Sequence, residues 1–487
     1  MNADCGKETV PLIFELDTPG VCAVSLPECD VPECDVEAAI PTGLRSDSGP
    51  DWPEVGELEL VRHFTRLNQR VFSVDTNFYP LGSCTMKYNP KVNERAAALP
   101  ALVHLHPYQD EADVQGMLEL LYRTRTYLEQ IAGLHECSLQ PAAGAHGELA
   151  SLLVINAYQR DHGGPRSKVL TPDSAHGTTP ASCAVCGRQA VAVKSTDDGR
   201  VDLDDLRRKV DGDTAALMLT HPNTVGVFDR QIAEIAEILH VKGAFLYLDG
   251  ANMNAIMGIA RPGELGVDIM HYNTHKTFGT PHGCGGPGSG PIACNEQLAP
   301  YLPVPQVVRR GDGTFGWDED RPKSIGKVRS FYGQVNVLVR CYAYLRALGN
   351  SGIRAAAEMA VLAANYLAAR LKDHFRLPFP GPYGHEFILL PGLEEQGISE
   401  LDVSKRLIDF GFHPPTMSWP IPHCLMIEPT ETESKATLDA FADALIQIKR
   451  EALEDPEKVQ QAPWSAAVRR VDEVGAARKP RLRWEGQ

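Results

Sequence analysis

The stretch GAFLYLDGANMNA (243–255) holds a short apolar run that closes on Asp249 and passes at once into small and polar residues. Such a run is too brief for a helix and reads as a buried strand. A carboxylate at its end must meet water, a ligand or a partner charge. Working back along the chain, SKVLT (167–171), QAVAVKS (189–195) and TAALMLT (214–220) repeat the pattern. Among them lie DLDDLRRKV (202–210) and RQIAEIAEILHVKG (230–243), with apolar residues at helical spacing. Strands alternating with helices imply a mostly parallel sheet flanked by helices, an α/β architecture.

Two further helical patterns precede the strands, GMLELLYRTRTYLEQIAG (116–133) and GELASLLVINAYQRD (147–161). A long helix-compatible stretch from about Val335 to Phe375 follows them and leads to FGFHPPTMSW and HCLMIEPT, which suit a smaller α+β lobe. Residues 1 to about 60 are rich in Pro, Gly, Asp and Glu without a sustained period, as expected of an extended arm lying on another surface. The expected organisation is an N-terminal arm over 1–90, a large α/β domain over 91–335, and a small C-terminal α+β domain with a tail over 336–487.

The 487 residues carry a formal net charge of −16, which disfavours nucleic-acid phosphates. Apolar residues never accumulate into a membrane-length run, and the N-terminal segment lacks the basic start and apolar core of a secretory signal. A cytoplasmic protein that binds neither membrane nor nucleic acid is expected. The 12 cysteines are scattered without zinc-finger spacing, so no structural metal is expected, the Cys183/Cys186 pair included.

In open α/β sheets, ligands bind beyond the carboxyl ends of the strands. The decisive segment there is DIMHYNTHKTFG (268–279), in which Lys276 follows an apolar start and precedes the Gly-rich run TPHGCGGPGSGP. Together with Asp249 and the Gly-rich helix start Gly144-Ala145-His146-Gly147, it supplies what pyridoxal phosphate requires. That set is an amine for a Schiff base, a carboxylate for the pyridine nitrogen, and helix-terminal amides for the phosphate. His275 and His282 match no helical ligand spacing, so packing roles are expected for them.

Seven collinear strings carry a resemblance: NFYPLGSCTMKYNPK (77–91), QPAAGAHGELA (140–150), SAHGTTPAS (174–182), HPNTVGVFD (221–229), LDGANMNAIMG (248–258), THKTFGTPHGCGGPGSGP (274–291) and MIEPTETESKATLDAF (426–441). They resemble glycine dehydrogenase (decarboxylating), the P-protein of the glycine cleavage system, in the second subunit of its two-subunit form. The resemblance runs from about Leu12 to Trp484. It implies the fold-type-I, aspartate aminotransferase-like architecture of pyridoxal-phosphate enzymes, with Lys276 as the Schiff-base lysine and Asp249 as the pyridinium partner. It also implies Ala251 against one ring face, His176 stacked on the other, and Asn223 near the ring hydroxyl. Thr178, Gly144, Ala145, His146 and Thr274 complete the expected cofactor-binding set.

The activity implied is decarboxylation of glycine, with release of carbon dioxide and transfer of the aminomethyl group to the lipoyl arm of the H-protein. The implied partner is a homologous first subunit in an α2β2 assembly. Another fold-type-I decarboxylase or aminotransferase, or a non-catalytic subunit, would share much of this pattern. The sequence departs from the family motif at Cys284 inside the glycine run, at His221 before Pro222, and at Cys183 and Cys186.

Overall fold

The short apolar runs form one seven-stranded sheet in the computed structural model, which describes residues 9–46, 48–49, 52–283 and 288–483. The strands are β1 (Glu136–Ser138), β2 (Lys168–Pro172), β3 (Gln189–Val193), β4 (Thr214–Thr220), β5 (Phe245–Gly250), β6 (Ile269–Tyr272) and β7 (Ile292–Cys294). Their order is β1-β7-β6-β5-β4-β2-β3. Pairs from β3 through β6 are parallel, and β7 runs antiparallel to both β6 and β1. Strands β4 and β5 are buried almost throughout, the pattern of a sheet covered on both faces. Leu217, Leu219, Leu246 and Leu248 join one core, and Ala216, Met218, Phe245 and Tyr247 the other, as the period of two requires.

A two-stranded hairpin follows, β8 (Gln306–Arg309) with β9 (Phe315–Asp318). The expected long helix spans Val335–Leu371 and is interrupted at Gly349, whose φ of 60° and ψ of −173° leave the helical region. Its residues as far as Ala357 pack in the core of the large sheet, and those from Ala363 onward in a separate core around β10 (Phe387–Leu389), β11 (Thr416–Met417) and β12 (Leu425–Ile427). That antiparallel sheet, ordered β10-β12-β11, with the helix Lys435–Glu454 against it, forms the small α+β lobe.

The chain divides into two compact units, Ser73–Ala462 and a second made of Met1–Phe72 with Pro463–Gln487. This differs from the boundary expected at residue 90. Residues 73–90 belong to the main unit because they are anchored there: Phe78 packs edge-on against Phe441 at 5.1 Å, and Leu81 bridges Ile427. Likewise residues 463–487 go with the N-terminal segment rather than with the small lobe. Among the described residues, no helix is long and apolar enough to cross a membrane.

Candidate active site

Strand β5 delivers Asp249 to its carboxyl end, where Oδ1 accepts a hydrogen bond from the Ala251 amide at 2.8 Å. His271, at the end of β6, brings Nε2 to 3.4 Å from the same oxygen, and its Nδ1 lies 2.5 Å from the Tyr247 hydroxyl. Burial holds the His271 pKa below its usual value, against the pull of Asp249. The His271 Nε2 is 3.0 Å from Asn273 Nδ2, so a neutral ring packs beside a carboxyl group that is itself only 6 % exposed.

Beyond β6 the chain turns through Asn273 into a short helix, Thr274–Thr277, which carries Lys276. Its Nζ donates to the Ser83 carbonyl at 2.8 Å. Ser83 and Thr85 both have positive φ, 63° and 51°, an uncommon conformation for residues with side chains. Two buried carboxylates hold them there. Glu386 Oε2 accepts from the Ser83 amide at 2.6 Å, and Glu428 Oε2 from the Thr85 amide at 2.8 Å.

The third contribution is the helix Gly144–Asp161, whose first-turn amides have no side-chain cap. Unpaired amides at the positive end of a helix dipole form a site for an anion. A Cβ on Gly144 would collide with Asn273 Oδ1, so any larger residue here would require that side chain to move. The loop after β2 supplies His176, and the helix that follows, Thr178–Val185, begins with Thr178, with His176 Nδ1 at 2.8 Å from Thr178 Oγ1.

Lys276, Asp249, Ala251, His176, Thr178, Gly144 and Ala145 all line one cavity of about 230 Å³. Three expected residues do not. Asn223 is spent on backbone groups: Nδ2 donates to Gly199 O at 2.6 Å, and Oδ1 accepts from the Val227 amide at 3.0 Å. Its neighbour Thr224 lines the cavity in its place. His146 turns back to accept from the Ala142 amide at 3.1 Å, and Thr274 donates to Ser289 O.

Sequence reasoning missed Ser83, Glu148, Thr220 and His271, which also line the cavity. Thr220 and His271 follow the rule already used, polar residues closing apolar runs. Glu148 was visible only as the next residue of the Gly-rich helix start. Its carboxyl is pushed up to about 8 by burial and by the charge of Asp249. His275 lines the cavity too, its ring 5.1 Å from that of His282. Burial lowers both, His275 to about 3 and His282 to about 4, so two neutral rings pack together.

An amine, a buried carboxylate and uncapped helix amides around one cavity fit pyridoxal phosphate in donor chemistry. The family models agree: "Glycine cleavage system P-protein" matches residues 35–308, and "Glycine dehydrogenase, C-terminal domain" matches 356–469. The "Probable glycine dehydrogenase (decarboxylating) subunit 2" of Bacillus licheniformis is 54% identical over 478 residues, 97% of this chain and 98% of the relative. The chain belongs to the glycine cleavage system P-protein family.

A P-protein family fold is also what solved structures display. A crystal structure of glycine decarboxylase (P-protein) in inhibitor-bound form superimposes with a TM-score of 0.72 at 24% identity, covering 84% of this chain and 93% of that one. A sphingosine-1-phosphate lyase from Burkholderia pseudomallei gives 0.61 at 18%, covering 84% and 93% respectively. The architecture is therefore that of the fold-type-I pyridoxal-phosphate enzymes. Of this chain's departures from the motif, His221 is buried, which lowers it to about 4, and Cys183 is on the buried face of the helix Thr178–Val185. Cys284 lies outside the described residues.

Proposed function

We propose that this chain is the cofactor-bearing subunit of a glycine dehydrogenase (decarboxylating), acting on glycine and passing an aminomethyl group to the lipoyl arm of a carrier protein. The observation that carries the reading is the convergence of Lys276 and Asp249 on one cavity beside an uncapped helix start. Pyridoxal phosphate, when bound, supplies the electron sink that makes loss of carbon dioxide feasible. Lys276 would hold that cofactor through its amine, the one amino group that lines the cavity among the described residues. The Ser83 carbonyl, already 2.8 Å from Nζ, orients the amine and accepts one of its protons' hydrogen bonds. Asp249 would pair with a protonated ring nitrogen. The amides at Gly144 and Ala145 would take the phosphate, and Ala251 and His176 would lie against the ring.

The activity class follows from family membership at 54% identity, and the rival transaminase and simple decarboxylase readings separate from it experimentally. Only the P-protein reaction couples glycine to a lipoylated acceptor and exchanges labelled bicarbonate into the glycine carboxyl group. The partners proposed are glycine, lipoylated H-protein and a homologous first subunit in an α2β2 assembly. Borohydride reduction of the cofactor-loaded protein, followed by peptide mapping, is expected to mark Lys276. A label on another lysine, or bicarbonate exchange undiminished in Lys276→Ala, would overturn the assignment.

A further inference from the structure

Glu148 sits at the start of the helix Gly144–Asp161, and its Oε1 lies 2.6 Å from Thr178 Oγ1. The same hydroxyl is 2.8 Å from His176 Nδ1. That nitrogen also accepts the Thr178 backbone N–H at 3.2 Å. A ring nitrogen that accepts an N–H carries its lone pair there, so in this geometry Nδ1 is the acceptor and Nε2 bears the hydrogen. The hydroxyl has one hydrogen and two neighbours. If it serves Nδ1, the short contact to Glu148 needs a hydrogen from the carboxyl group.

From this we infer that Glu148 is a positioning residue: through the Thr178 hydroxyl, its proton decides whether His176 presents an N–H donor or a lone pair to the cavity. With Glu148 protonated, the acid donates to Thr178 Oγ1, the hydroxyl donates to Nδ1, and Nε2–H faces outward. When Glu148 loses its proton, the hydroxyl turns to the carboxylate, Nδ1–H donates to Oγ1, and the lone pair moves to Nε2. One proton leaves to solvent and one shifts across the ring, so the two states balance. The cost of the second state is the bond from the Thr178 amide, which must be given up.

The groups facing Glu148 fit this account. Asp249, from the end of β5, disfavours a second negative charge, while Lys276 favours it. The Thr179 hydroxyl adjoins the carboxyl, and Cys183 of the helix Thr178–Val185 and Tyr247 of β5 are the other titratable neighbours. Both are held neutral at physiological pH because burial raises them. Burial and Lys276 lower the His176 pKa, which keeps that ring neutral as well. The carboxyl stands at about 8, so the donor form of His176 prevails at neutral pH. The functional weight of this device rests on the reading of the cavity given above.

Diethyl pyrocarbonate acylates an imidazole nitrogen that exposes a lone pair, and His176 is accessible to solvent. The cofactor-free full chain would be modified between about pH 6.5 and about pH 9, with peptide mapping of His176 against exposed His104 as internal reference. The His176/His104 ratio is expected to rise through about pH 8 by about fivefold, the weight of one net hydrogen bond. In Glu148→Gln the amide nitrogen donates to Thr178 as the acid does, so the ratio stays low and flat. Thr178→Val removes the relay and the step, and Thr178→Ser restores it. A flat ratio in the wild type, or a step that survives Glu148→Gln, would overturn the inference. Because no cofactor is present, either failure leaves the assignment of function standing.

Discussion

At the scale of single residues, Asp249 and Glu148 are two carboxyl groups on one cavity with different surroundings. Asp249 accepts a hydrogen bond from the Ala251 amide, whereas Glu148 is pushed up to about 8 by burial and by Asp249 itself. Asp249→Asn is expected to retain the cofactor while losing the charge that protonates the ring. Decarboxylation should fall by a factor on the order of 10² to 10⁴, and the absorbance of the bound cofactor should shift with it. A rate near that of the wild type would contradict the role. A second buried pair, Glu386 and Glu428, is raised by burial, Glu428 to about 7 from 4.5. Since the folded state holds a proton that the unfolded chain releases, this stability is complete below pH 4.5 and is lost as pH rises through about 7. The melting temperature of the cofactor-free chain should fall over that window. Glu428→Gln should flatten the slope, with a difference on the order of 1 kcal/mol or more above pH 7. Asp249 and Lys276 were legible because each closes or follows an apolar run. Glu386 and Glu428 were not, since nothing local shows that His385-Glu386 and Glu428 meet the loop at Ser83 and Thr85, more than 300 residues away.

Among elements, the helix Gly144–Asp161 and the chain entering β7 approach so closely that a Cβ on Gly290 would collide with the Ala143 carbonyl. The obstruction is backbone, so it cannot be relieved by a side-chain rotation. Gly290→Ala should push the helix start away from the cavity, at a cost of about 1–3 kcal/mol in stability. Cofactor affinity should weaken by about tenfold or more, because the uncapped amides no longer converge on the phosphate. Equilibrium titration of the variant with pyridoxal phosphate checks this, and unchanged affinity would show that these amides do not bind it. The helices and strands themselves were legible from periodicity: the runs at 168–172, 189–193, 214–220 and 245–250 all became strands. What periodicity could not assign was the segment 73–90. It has almost no regular structure apart from turns, and its place is fixed by Phe78, Leu81 and the two buried carboxylates. The break at Gly349 was equally hidden, because Gly349-Asn350-Ser351-Gly352 sits inside a pattern that stays apolar at helical spacing on both sides.

For the molecule as a whole, the unit formed by Met1–Phe72 and Pro463–Gln487 poses a physical problem. Among its described residues only Val55 and Pro463 are buried apolar side chains, whereas Leu26 is 91%, Leu482 86%, Trp52 73% and Val24 71% exposed. A segment that buries so little cannot offset the entropy of ordering its own backbone, the same physical ground on which composition led to the expectation of an arm lying on another surface. Large exposed apolar side chains of this kind mark contact with another protein. The relatives carry the name subunit 2, and a homologous first subunit is the partner proposed above. Co-expressed with that subunit, the chain should form a stable heteromer in which hydrogen exchange of residues 20–60 slows by about tenfold or more relative to the isolated chain. Replacing Leu26 and Trp52 together, Leu26→Asp with Trp52→Ser, removes apolar area without touching the cavity. Assembly measured by light scattering should then weaken by about tenfold or more, at about 1.4 kcal/mol for each factor of ten, while binding of pyridoxal phosphate stays as in the parent chain. Equal assembly by the double variant would mean that this arm is covered by something other than the partner subunit.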